Sequence, residues 1–313
     1  MAITGEELTQ KLRPALDKVE VERLQHFAEF QKRQPICLIG WGITAVFGLA
    51  LLMIAPEPMF GVILGIAGGG GIWYWYTGPA RAFRSGYKRE LLPRIAEEFG
   101  NFSYQLKGGI AADRMRPSKI LPRHHRYNHE DHFEGDFEGV GIEFNEGILK
   151  ERRRSGKRTH YVTVFKGLFV MLDMNKNFEG HTIVRRDAGV FNFFGGLGSL
   201  ERISLEDPEF EKQYEVYGSD QVEARYLLTP AFMERLKTLT SSIGASGMEC
   251  AFYQDKLLIL MKHSQAMSST GFLEPGHLRE SVHRESSIAK IADEFAAICG
   301  LVHELKLNEN HRV

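Results

Sequence analysis

Residues 36–78 read ICLIGWGITAVFGLALLMIAPEPMFGVILGIAGGGGIWYWYTG. No charged side chain stands between Ile36 and Ala55, and about twenty residues at 1.5 Å each match a hydrocarbon core about 30 Å thick. A second uncharged run extends from Met59 to Gly78, and the intervening Pro56, Glu57 and Pro58 leave length only for a tight antiparallel return. The stretch therefore predicts a transmembrane helical hairpin with spans 36–55 and 59–78.

The glycines favour this reading over a phosphate-binding loop, which would end in Gly-Lys-Ser/Thr ahead of a soluble helix. Gly61, Gly65 and Gly69 recur every four residues, as do Gly40, Thr44 and Gly48 on the first span. Such small-residue stripes let two helix backbones approach closely. Trp73, Tyr74, Trp75 and Tyr76 then form an aromatic belt at headgroup depth, followed at once by Arg81, Arg84, Lys88 and Arg89. Lys32 and Arg33 precede the first span, and the Pro-Glu-Pro turn has no basic residue, so the basic bias places both chain ends in the cytoplasm. The apolar run starts beyond residue 35, behind a charged segment, and no A-x-A-like site follows, so a cleavable signal peptide is not expected.

The balance of 39 basic against 40 acidic residues gives no global attraction to nucleic acid. Cys37, Cys250 and Cys299 are too few and too widely spaced for a disulfide framework or a zinc ribbon, and they suit a reducing compartment.

Around the hairpin, residues 1–35 predict a cytoplasmic amphipathic helix opened by the capping box Thr4–Glu7, with Leu8, Leu12, Leu16, Val19, Leu24 and Phe27 as its apolar stripe and a kink at Pro14. Phe83, Tyr87, Leu91, Ile95 and Phe99 give a juxtamembrane helix over 79–100, the two helices packing as a stalk. Residues 101–313 predict a cytoplasmic α+β domain. Strands are expected at 140–150, 160–174, 181–186, 248–253 and 257–263, and helices after Asp207-Pro208 and Thr229-Pro230, each an N-cap followed by proline at the first helical position. Gly244 is a stop for the second of these, and a closing helix carries Ile288, Ile291, Phe295, Ile298 and Val302 on one face. Hairpins and helices in mixed order point to an antiparallel sheet with packed helices.

Three stretches invite chemistry. PRHHRYNHEDHFEGD (122–136) concentrates imidazoles and carboxylates, and His125, His129 and His132 with Asp131 are the candidate ligands for zinc or iron, although the histidine spacing is one residue short of HExxH. The bland reading is a polar surface loop leading into a strand. ERRRSGKRT (151–159) reads as a hairpin loop, solvated or in contact with anionic lipid. FNFFGGLGS (191–199) reads as a loop whose phenylalanines tuck into a core or meet a partner, and Glu201 stands where a dinucleotide fingerprint needs its third glycine. No serine, cysteine or lysine has neighbours that mark a nucleophile.

The segments VFKGLFV (164–170), LEDPEF (205–210) and VYGSDQVEARYLLTP (216–230), with Glu130-Asp131 ahead of Gly135, resemble a bacterial membrane-anchored family catalogued as domain of unknown function 3137. The motif residues are Phe165, Lys166, Gly167, Asp207, Pro208, Asp220, Glu223, Arg225 and Tyr226. The resemblance implies a bacterial inner-membrane location and, by analogy, a LemA-type membrane protein as partner, and it implies no catalytic residue, ligand or reaction. Asp220, Glu223 and Arg225 are expected to form a structural joint. The reading is a non-enzymatic, inner-membrane-anchored interaction or scaffold module that uses the lipid bilayer, a second copy or another membrane protein, with no cofactor expected. The alternative is a membrane-bound metal-dependent hydrolase using His124–Asp136. Transport through a pore is disfavoured, because neither span carries an ionisable residue.

Overall fold

The computed structural model describes residues 5–54, 59–156, 158–174, 178–186, 200–205, 207–264, 273–274, 276–283 and 285–304. The chain divides into two compact units, one of Thr9–Leu91 with Pro275–Ile288, the other of Met1–Leu8, Leu92–Glu274 and Ala289–Val313.

The first unit is helical. Helix α1 (Gly5–Ile54) runs unbroken from the amphipathic segment into the apolar one, with Pro14 and Pro35 inside it. Helices α2 (Met59–Tyr76) and α3 (Gly78–Phe99) follow. Leu12, Leu16 and Val19 of α1 and Phe83, Tyr87 and Leu91 of α3 are buried, as their spacing predicts, whereas Leu24 is exposed. Lys18 Nζ lies 3.0 Å from Glu90 Oε2, and a Cβ at Gly86 would meet Glu22, so α1 and α3 pack antiparallel. Residues 276–283 are tied to α1 through Arg23, which donates to Leu278 O at 2.7 Å, and Glu20, which accepts from Val282 N at 3.0 Å.

Among the described residues, α1 alone is long and apolar enough to cross a membrane. The expected pair of spans is thus reduced to one helix that qualifies. Helix α2 stops at 18 residues, and four consecutive glycines and its aromatic end dilute its apolar character. Thr4 of the expected capping box and residues 55–58 of the expected turn lie outside the described residues.

The second unit is built on a nine-stranded antiparallel sheet. Its strands are β1 (Asn101–Gln105), β2 (Arg126–Phe137), β3 (Val140–Ser155), β4 (Arg158–Asp173), β5 (Thr182–Arg186), β6 (Glu201–Ile203), β7 (Tyr214–Gly218), β8 (Ala245–Tyr253) and β9 (Lys256–His263), in the order β1-β2-β3-β4-β9-β8-β5-β7-β6. Helices α4 (Ala112–Met115), α5 (Pro208–Glu211), α6 (Gln221–Leu227), α7 (Pro230–Ser242) and α8 (Glu285–Glu304) complete the fold. The expected α+β class holds. Period-two alternation splits each central strand between two cores. Leu149, Phe165, Phe169, Leu258 and Leu260 pack with Met115 and Ile120 on one face. On the other, Phe295 of α8 meets Phe102, Phe133 and Phe144 at ring-centroid distances of 5.2–5.4 Å.

The helix starts follow their sequence chemistry. Asp207 accepts from Glu209 N and Phe210 N, Asp220 from Val222 N and Glu223 N, and Thr229 from Phe232 N. Gly244, after α7, takes the left-handed φ of 67° that a glycine stop allows. Residues 126–137 form strand β2, with its charged residues on a half-buried ladder, so the strand into which the bland reading leads begins already at Arg126. One expectation needs correction. The loop read over 151–159 is mostly strand, because β3 and β4 pair as far as Ser155 and Arg158 around Gly156 at φ 58°. Residues 191–199 lie outside the described residues.

Candidate functional site

The apolar half of α1 packs on α2 through small residues. A Cβ at Gly61 would lie 2.8 Å from Gly48 O, one at Gly68 would lie 2.9 Å from Thr44 Cγ2, and one at Gly40 would lie 3.1 Å from Ile72 Cδ1. The pairs 48/61, 44/68 and 40/72 descend on one helix as they rise on the other, so the two run antiparallel. Gly40, Thr44, Gly48 and Gly61 therefore lie in the contact as expected. Gly65 approaches Gly48 only through its Cα, at 4.0 Å, and a Cβ at Gly69 would meet nothing within 4 Å. A strict four-residue repeat drifts about 40° per step around a helix of 3.6 residues per turn, so the contact passes to Gly68.

The opposite faces carry exposed apolar side chains, among them Ile39, Ile43, Val46 and Met53 of α1 and Phe60, Ile63 and Ile66 of α2, with Met53 at 89% exposure. At the Tyr76 end of α2 the aromatic residues acquire partners. Trp41 stacks on Trp73 at 5.8 Å, and Phe30 lies 4.5 Å from Tyr76. The guanidinium of Arg33 sits 4.7 Å above the Trp75 ring while donating to Trp75 O at 2.6 Å. That of Arg81 sits 3.8 Å above Tyr74. Arg84 is exposed. Sequence reasoning missed Trp41 and Arg33 as partners of these aromatic residues because they come from the other helix.

The predicted metal ligands do not converge. His125 Nδ1 accepts from Arg152 N at 3.2 Å, beside the β3–β4 tip. His132 Nε2 pairs with Glu143 Oε1 at 2.9 Å, and Glu143 also binds Arg114. Burial works to raise the Glu143 carboxyl, but these two partners outweigh it and hold it below the usual range. His129 Nδ1 bonds Gly108 O at 2.8 Å. Asp131 is buried, and its Oδ1 accepts from Tyr104 OH at 2.6 Å. Burial first, then the charges of Asp131, Glu130 and Glu274, push the Tyr104 phenol up. Of the predicted set, Asp131 stands beside Glu130 of β2 and Glu146 of β3, a grouping that periodicity alone does not reveal.

Of the motif residues, Gly167 is explained by space, since a Cβ there would lie 1.9 Å from Met261 O of β9. Phe165 belongs to the core, Lys166 lines a polar cavity, and Asp207 and Asp220 are caps, with Pro208 at the first position of α5. Glu223 accepts from Glu179 N at 3.1 Å and Arg225 donates to Ser204 O at 3.4 Å, while Tyr226 is exposed. These contacts join elements; they do not line a pocket. A cleft of 650 Å³ opens elsewhere on the sheet, with Phe165, Met248 and Leu260 among its apolar residues and Arg185, Glu249 and Lys262 among its charged ones. Arg185 donates to Lys119 O at 2.8 Å, and burial raises the Glu249 carboxyl against the pull of Arg185 and Lys262. No sequence signal marked this cleft, whose lining comes from four strands and the segment after α4.

Most of the sheet and the helices that cap it fall within residues 163–307, which match the family model described as protein of unknown function (DUF3137). Residues 163–307 thus resemble a DUF3137 domain. The caps at Asp207 and Asp220, the close approach at Gly167 and the Phe295 core all lie inside this DUF3137 region, so its recognisable residues are mainly those that shape it. No curated protein matches the chain. Among solved structures, the chain is similar to the mycobacterial trehalose monomycolate transport factor A, TtfA, at 10% identity over 67% of this chain and 92% of that one, with a TM-score of 0.32. A likeness this distant carries no statement about the present chain.

Proposed function

We propose that the protein is a membrane-anchored interaction or scaffold module in which the apolar half of α1 and the whole of α2 form a two-span hairpin in a bacterial inner membrane, with both chain ends and the DUF3137 domain in the cytoplasm. The observation that carries this reading is the inside-out arrangement of the hairpin: glycine and threonine face the helix contact while isoleucine, valine, phenylalanine and methionine face outward. In water such a surface is costly and associates; in a bilayer it is solvated by lipid, and the close small-residue contact supplies the packing. The ring and guanidinium pairs at Trp73–Tyr76 and Arg81 suit the interface, and the basic residues that flank both spans favour the cytoplasmic side.

The partner is a second copy of the chain or another membrane protein, with a LemA-type protein the candidate by family analogy. Alkaline carbonate extraction of membranes carrying the full-length protein tests the anchor. Retention in the pellet after extraction and release only by detergent supports it; release by carbonate alone contradicts it.

A further inference from the structure

Four adjacent strands bring ionisable side chains together on the sheet face that packs against Phe295. Glu130 of β2 lies opposite Glu146 of β3, which lies opposite Leu168 of β4, which lies opposite Met261 of β9. His263 follows Met261 by two residues, so alternation places it on the same face. Between Glu130 and Phe133 the β2 register shifts, and Asp131 takes a left-handed φ of 55°. A bulge of this kind re-aims a side chain. The result is that one carboxylate oxygen from each of Glu130, Asp131 and Glu146 lies within 4.8 Å of the others, with Asp131 and Glu146 buried.

A cluster of carboxylates is common without an ion, but His263 is not ordinary. Its side chain is 3% exposed, and neither ring nitrogen has a hydrogen-bond partner among the described residues. A buried imidazole left this way is costly unless something occupies its lone pair. His263 lines a 260 Å³ cavity together with His129, Glu130, Glu146 and Lys166. Its Nε2 stands 3.9 Å from Glu146 Oε1, too far for a hydrogen bond. Two ligands each about 2.1 Å from one ion span such a distance.

We propose that Glu130, Asp131, Glu146 and His263 bind a divalent first-row transition-metal ion. Three carboxylates favour an oxygen-loving ion such as Mn²⁺, Fe²⁺ or Zn²⁺, and the imidazole selects these over Mg²⁺ and Ca²⁺. The proposal concerns binding and assigns no reaction, and it stands apart from the membrane anchor. It keeps Asp131 from the ligands read in the sequence and replaces His125, His129 and His132 with three residues that only the strand register assembles.

The test is calorimetric titration of full-length, detergent-solubilised protein, stripped with chelator and then given Mn²⁺ or Zn²⁺. The expected result is saturable binding of one ion per chain, weakened roughly tenfold or more by His263→Ala and by Glu130→Gln and unchanged by His125→Ala. Glu130 is exposed, so its variant does not put folding at risk. Failure of the unmodified protein to bind either ion, or equal binding by both ligand variants, would overturn the proposal. Binding lost with His125→Ala and kept with His263→Ala would overturn it in favour of the surface histidines.

Discussion

The two units use the same apolar residue types in opposite directions. In the sheet unit Phe133, Phe144, Leu168 and Phe295 are fully buried, while in the hairpin Ile43, Val46, Met53 and Ile66 face outward and the glycines face in. The hydrophobic effect that drives the first arrangement would forbid the second in water. The difference teaches that one core is made by excluding water, whereas the outward face of the apolar helices suits the proposed lipid surroundings, in which close van der Waals packing supplies the contact.

This contrast can be broken most severely by charge. Ile43→Lys with Val46→Lys places two ammonium groups on the outward face, each costing about 2.5–3.5 kcal/mol at the centre of a span; membrane fractionation should find much of the variant outside the membrane or degraded. In the sheet unit, Phe295→Ala removes the ring that touches Phe99, Phe102, Phe133 and Phe144. It should cost about 3–5 kcal/mol in urea unfolding monitored by the sheet signal, whereas Met53→Ala should leave that transition where it was. Gly61→Val tests the inward face of the hairpin. The added atoms meet Gly48 O and Leu52, and a loss of about 1–3 kcal/mol is expected, read as weakened helix–helix contact in detergent.

The smallest effect concerns acid. Glu143, held below the usual carboxylate range by His132 and Arg114 in spite of burial, contributes stability that is present above the unfolded carboxylate's pKa and is lost as pH falls through the folded one. Arg114→Ala should therefore move the onset of acid unfolding to higher pH. An unchanged acid limb would show that the ion pair is screened away.

Much of this organisation was legible in the sequence because it depends on local rules. Uncharged length marked the apolar helix, alternation marked β3, β4, β8 and β9, and Asp207 and Thr229 beside prolines marked α5 and α7. The motif segments identified the DUF3137 region. Strand β2 escaped because its charged residues mask alternation on a ladder that is only half-buried, and its bulge at Asp131 breaks the period. The carboxylate and histidine cluster escaped for a different reason: Glu130, Glu146 and His263 are brought together by register across four strands, and no spacing along one strand encodes that. The four-residue glycine repeat follows the contact at Gly61 and leaves it by Gly69, since four residues overshoot a turn of 3.6.

The account rests most on the hairpin, and labelling of single cysteines with a membrane-impermeant maleimide in intact cells tests it directly. The native thiols Cys37, Cys250 and Cys299 are buried, so a Cys at position 57, between the two apolar runs, and one at the exposed Arg158 can be compared against a quiet background. Two crossings with the DUF3137 domain inside predict labelling of Glu57→Cys in intact cells and of Arg158→Cys only after the membrane is opened. Equal labelling of the two positions before permeabilisation, or of neither until afterwards, would contradict the hairpin.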